Sequence, residues 1–85
     1  MKGYRFYEEF KDARKGVSAG NVLAVDVRHD RGRMALAGFA AISDDPDSPV
    51  AYVGIGFDWL NQRCKRVTET RARQIHPALF RRLDA

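Results

Sequence analysis

Hydrophobic and polar positions alternate through the first two thirds of the chain and change to helical spacing in the last third. In Tyr4 to Phe10, Tyr4, Phe6 and Glu8 point one way while Arg5, Tyr7 and Glu9 point the other. Aromatics repeating with period two predict a strand. Lys11 to Gly20 is charged and contains Gly16 and Gly20, the composition of a loop. Asn21 to Arg28 alternates again, with Leu23, Val25 and Val27 opposite Ala24, Asp26 and Arg28. An aspartate on the second face marks that face as shallowly buried, because an unpaired charge is costly to bury. His29-Asp30-Arg31-Gly32 reads as a turn. Arg33 to Ile42 predicts a third strand; its alanines also suit a helix, but its length and flanking turns favour a strand. Ser43 to Pro49 ends it, since neither of its prolines fits a central ladder. Val50 to Phe57 is the fourth strand, with Ala51, Val53, Ile55 and Phe57 as its stronger apolar face.

From Asp58 onward the period is helical. Asp58 is placed to cap a first helix, whose apolar stripe is Leu60, Cys64 and Val67. The stripe slips at Thr68, which reads as a second N-cap with Val67 and Ala72 as a hydrophobic staple. Ala72, Ile75, Leu79 and Leu83 form the next stripe, and Pro77 starts the last turns. Strands followed by helices predict an α+β fold: a four-stranded antiparallel meander with two or three C-terminal helices packed on one face. Residues 1–85 form a single domain, with the sheet in 1–57 and a helical tail in 58–85 packed on it. The covered face is expected to hold Phe6, Leu23, Val25, Val27, Leu36, Val53, Ile55 and Phe57, with Trp59 closing the strand–helix corner. The opposite face, with Arg5, Tyr7, Ala24, Asp26, Ala35, Ala37, Tyr52, Gly54 and Gly56, is expected to be flat and mildly apolar.

Charge changes this picture. The chain carries a formal +4, and all of it lies in the tail. Residues 1–57 are balanced, while residues 58–85 set Arg63, Lys65, Arg66, Arg71, Arg73, Arg81 and Arg82 against Asp58, Glu69 and Asp84. A basic half attracts polyanions or an acidic protein surface. These seven residues are the candidate contacts for a nucleic acid or another anionic partner. Arg5, Tyr7, Tyr52 and Gly54 are the candidate interface for a protein partner or for a second copy in a homodimer. The tyrosines would also stack unpaired bases.

Other chemistry is thinly represented. The single cysteine excludes an internal disulfide and suits a reducing compartment. The start of the chain has no signal-peptide pattern, and its longest apolar run, Met34 to Ile42, falls short of the roughly 20 residues of a membrane span. A soluble cytoplasmic protein is therefore expected. Cys64, His29 and His76 show no metal-ligand spacing, and Asp44, Asp45 and Asp47 lack the glycine and glutamate of a calcium loop. No metal and no cofactor is expected. His29, among arginines at a turn, is the one candidate for acid–base cleavage of RNA. One histidine does not make a catalytic site, and no catalytic residue is assigned. The expectation is a small non-catalytic binding module, with a protein-interaction module such as a small inhibitor or homodimeric accessory protein, using the flat sheet face or a sheet edge, as the alternative.

Overall fold

A computed structural model describes residues 1–29, 36–43 and 48–85. The elements run β1 (Tyr4–Asp12), β2 (Val17–Asp26), a 3-10 turn (Val27–His29), β3 (Leu36–Ala41), β4 (Val50–Ile55), α1 (Phe57–Arg63), β5 (Cys64–Val67), α2 (Glu69–Ile75) and α3 (Pro77–Leu83). The fold is α+β: an antiparallel sheet with three C-terminal helices, β5 lying between the first and second, and strand order β4-β3-β2-β1-β5. The sheet has five strands, one more than expected. The turn expected at Asp30 to Gly32, the side chain of His29, and Asp44, Asp45 and Asp47 lie outside the described residues.

The additional strand is Cys64–Val67, which the apolar spacing placed in a helix. Glu9 pairs with Cys64 and Phe6 with Val67, so β5 completes the free edge of β1. The stripe Leu60, Cys64, Val67 does not lie on one helix, because α1 ends at Arg63. In the strand, Cys64 and Val67 point to opposite faces, and they enter separate hydrophobic clusters. Asp58 is not the cap expected of it. The N-cap is Gly56, with no side-chain hydrogen bond, and Asp58 lies within the first turn. Thr68 is a cap: its Oγ1 accepts the Arg71 N–H at 3.2 Å. Pro77 opens α3.

The expected loop from Lys11 to Gly20 is a hairpin. Asp12 Oδ1 accepts the N–H groups of Arg14 and Lys15 at 3.0 and 3.1 Å, closing the turn between β1 and β2. The register then shifts between Glu8 and Phe10, where Gly20 takes φ +78° in an irregularity of β2. Gly38 marks the tightest strand contact, since a Cβ there would stand 2.1 Å from the carbonyl oxygen of Ala24.

Each face of the sheet has its own small core. Beneath α2 and α3, Phe6, Val22, Ala24, Ala72, Leu79 and Phe80 are buried together, and the Phe6 and Phe80 rings stand 5.1 Å apart. We call this the cap face. Beneath α1, Leu23, Val25, Ala40, Ile55, Leu60 and Cys64 form the second cluster, on what we call the crossover face. The single covered face expected from alternation divides accordingly. Phe6 pairs with Ala24, so it belongs to the cap face, while Leu23 and Val25 belong to the crossover face. Ala24, expected on the open face, is fully buried.

The chain between β4 and β5 dictates the curvature. A flat five-stranded sheet would separate its edge strands by about 19 Å, yet α1 between them rises only about 10 Å. The sheet therefore curls around the crossover face, where Ile55 from one edge and Cys64 from the other share one cluster. The bend leaves that side incompletely filled. A cavity of about 220 Å³ lies between β1, β2 and α1.

Candidate functional site

The seven basic tail residues do not form one helical surface. Arg63 ends α1, Lys65 and Arg66 lie on the edge strand β5, Arg71 and Arg73 on α2, and Arg81 and Arg82 on α3. The correction concerns Lys65 and Arg66 most. As strand neighbours they point to opposite faces. Lys65 is opposite Glu8 on the cap face, and Arg66 is opposite Tyr7 on the crossover face.

Their partners separate them further. Arg73 is held from two sides: its Nε donates to Glu69 at 3.0 Å and its Nη1 to Asp84 at 3.1 Å, while its guanidinium stacks 4.3 Å from the Phe80 ring centre. Glu69 also meets the N-terminal ammonium of Met1. These contacts, the N-terminal ammonium first and Arg73 next, hold the Glu69 carboxyl below its ordinary value. Arg73 thus fastens α2 to the end of α3 and has little charge left for a partner. Arg71 stands 3.5 Å from the buried Glu8, whose second oxygen has no hydrogen-bond partner among the described residues. Arg82 lies over Phe39 and Lys65 over Phe10 through their cations.

Among the described residues, no carboxylate pairs with Arg63, Lys65 or Arg66. These three, consecutive but for Cys64, surround the start of the edge strand. Arg66 and Arg71 line an open depression together with Val67 and Thr68. Arg81 and Arg82 sit on the last helix, outside this group.

The expected protein interface is also divided. Arg5 and Tyr7 lie on the crossover face, because Arg5 pairs with Val25 and Tyr7 with Leu23. Tyr52 and Gly54 lie at the β4 edge of the cap face, opposite Phe39 and Ala37. Tyr52 is engaged: its hydroxyl donates to Asp26 Oδ2 at 3.1 Å and its ring packs edge-on against Phe39. Asp26, read as a sign of shallow burial, is itself buried. Its charge is compensated by the Arg28 Nε at 3.0 Å and the Arg28 backbone N–H at 3.0 Å. The Arg28 side-chain bond, more than any other contact, holds the Asp26 carboxyl below its ordinary value.

Two groups with reactive potential have structural roles. Burial pushes the Cys64 thiol up to about 12, away from the thiolate that nucleophilic chemistry requires. His76 is buried where α2 meets α3, and its Nδ1 accepts the Val22 N–H at 3.1 Å. Desolvation lowers the imidazole below its ordinary value, consistent with an unprotonated acceptor nitrogen. Among the described residues, no group of three or more His, Cys, Asp or Glu is placed to hold a metal ion. No described helix is long and apolar enough to cross a membrane.

Two residues of α1, one misplaced by alternation and one not singled out by it, line the cavity. Phe57 was expected in the core, yet its side chain is partly out of the protein at 39% exposure. The strand ends at Ile55, so Phe57 falls in the first turn of α1 rather than on the sheet. Asn61, one turn further, also lines the cavity. The Gly56 break in the apolar run was the signal that could have found them. Trp59, placed at the strand–helix corner, does line a small cleft with Leu23 and Ala40 but remains 40% exposed. No protein-family model matches this chain, and neither a curated protein nor a solved structure is significantly similar to it.

Proposed function

We propose that this protein is a small non-catalytic binding module that holds a nucleic acid, or a nucleoprotein, by its phosphates. The observation that carries this reading is the group Arg63, Lys65 and Arg66 around the β5 edge, left without carboxylate partners while Arg73 takes up Glu69 and Asp84. Guanidinium and ammonium groups without internal carboxylate partners remain available to neutralise phosphates. Because Lys65 and Arg66 face opposite sides of one strand, a bound backbone would straddle the sheet edge rather than lie along a helix. Arg71 adds a positive charge beside Arg66 at a cost, since Glu8 offsets it. This surface has no pattern for reading base sequence in a groove.

The alternative of a protein partner on a flat sheet face finds less support. Ala24 is beneath helices, and Tyr52 is tied to Asp26. The test is binding of labelled single- and double-stranded RNA and DNA to the purified protein at low and physiological salt. Affinity of about micromolar, falling linearly with the logarithm of salt concentration, is expected. Lys65→Glu combined with Arg66→Glu should weaken it at least tenfold. Binding that disappears at physiological salt, or that ignores the double reversal, would overturn the reading in favour of a protein partner.

A further inference from the structure

The geometry points to the cavity between β1 and α1 as the seat for one unpaired base of a single-stranded nucleic acid, with the flanking phosphates on Arg5 and Arg66. This rests on the polyanion-binding reading and adds to it the form of nucleic acid that is held.

The cavity encloses about 220 Å³, and its lining divides by chemistry. Val25 and Leu60, both buried, give it an apolar floor. Tyr7 and Phe57 bring aromatic rings to it, and Arg5 and Asn61 bring polar ends. Phe57 supplies the exposed part of that lining, its phenyl ring being 39% exposed. Among the described residues, neither Arg5 nor Asn61 makes a side-chain hydrogen bond or ion pair. The free amide of Asn61 offers donors and an acceptor to the edge of a base.

Charge completes the fit. Arg66 is the direct cross-strand partner of Tyr7 on the crossover face, and Arg5 is two residues along β1 on that same face. An aromatic ring therefore lies between two unpaired guanidinium groups. That arrangement suits a single strand, whose bases turn out to stack on side chains while its phosphates track cations. A duplex keeps its bases stacked within and would meet only the arginines. Tyr4 and Tyr52, the other tyrosines on the sheet, take no part: both lie on the opposite face, and Tyr52 is bonded to Asp26.

The test uses the full chain and three labelled probes of about 16 nucleotides: a mixed-sequence single strand, the blunt duplex of that sequence, and an abasic strand of equal length. At physiological salt the mixed strand should bind about tenfold tighter than either of the others, the scale of one base stacked on an aromatic ring. Phe57→Ala and Asn61→Ala, both at exposed positions, should each reduce that preference, with thermal melting confirming that the variants fold. Equal affinity for the mixed and abasic strands, or a preference that survives both substitutions, would overturn the base seat. If Lys65→Glu with Arg66→Glu still abolishes binding in that case, the phosphate-binding reading stands alone. Failure of all three probes to bind would overturn both. Tighter binding of poly-glutamate than of any strand, weakened by Phe57→Ala, would reassign the cavity to an acidic protein.

Discussion

The two faces of the sheet are closed to different degrees. Beneath α2 and α3 the cap face is closed: Val22 and Leu79 are fully buried, Phe6 packs on Phe80, and Arg73 joins Glu69 to Asp84 across the two helices. Beneath α1 the crossover face is covered by one short helix, retains a cavity of about 220 Å³ and exposes Phe57 at its mouth. On the cap side Arg73 is paired with Glu69 and Asp84, whereas the crossover face and the β5 edge beside it have Arg5, Arg63 and Arg66 without partners among the described residues. A guanidinium already paired within the fold has fewer donors left for a ligand than an unpaired one, so the difference ranks these arginines by how far each is committed to the fold.

The largest test of that separation is a matched pair of core truncations. Leu79→Ala opens a void in the closed core and should cost about 4 kcal/mol. A change of that size lowers the melting temperature of a domain this small by well over 10 °C, at about 4–8 °C per kcal/mol. Leu60→Ala removes the same atoms next to existing space that water can enter, so it should cost about half as much. Equal losses for the two, measured by urea or thermal unfolding, would mean that the faces are packed alike.

Charge separates the faces next. Arg73→Ala should lower the melting temperature by a few degrees, less than either leucine truncation, while leaving polyanion affinity unchanged, because its guanidinium is already taken by Glu69 and Asp84. Lys65→Glu with Arg66→Glu should do the reverse. An Arg73→Ala variant that folds normally but binds a labelled oligonucleotide tenfold more weakly would erase the distinction drawn here between paired and unpaired arginines.

Much of this arrangement could be read along the chain, and what could not has a common cause. Thr68 as a cap and Pro77 as a helix start were legible because each acts on its own nearest backbone. Alternation within each strand was legible for the same reason. The register between strands was not: whether Phe6 faces with Ala24 or with Leu23 depends on the β1–β2 pairing, and a shift of one residue would reverse it. The same limit hid β5. Cys64 to Val67 is a strand because β1 offers it an edge, and nothing within the four residues says so. For the candidate site, the residue types were legible but their grouping was not. Arg73 looked equivalent to Arg66 until the fold brought Asp84 to it; its other partner, Glu69, stands four residues back on the same helix.

The smallest expected effect lies at the seam that keeps the cap face closed. His76 Nδ1 accepts the Val22 N–H at 3.1 Å, so α2 and α3 are tied to β2 through an unprotonated imidazole, with Arg81 nearby as a further disincentive to charging it. Burial depresses this group in the folded protein, while the unfolded chain takes up its proton at the ordinary value of about 6.5. In that window the unfolded state binds more protons than the folded one, so stability rises with pH. The contribution is therefore complete above about pH 6.5 and is lost as pH falls through the lower, folded value. Asp26 and Glu69, also depressed when folded, lose theirs only below the ordinary carboxylate range near about 4, so the two windows are distinct. Urea midpoints measured from pH 7.5 down to about 5 should decline, and His76→Gln, which keeps an acceptor but cannot titrate, should flatten the curve. An equal decline in His76→Gln would assign the acid sensitivity to another group and leave the seam without a titrating residue.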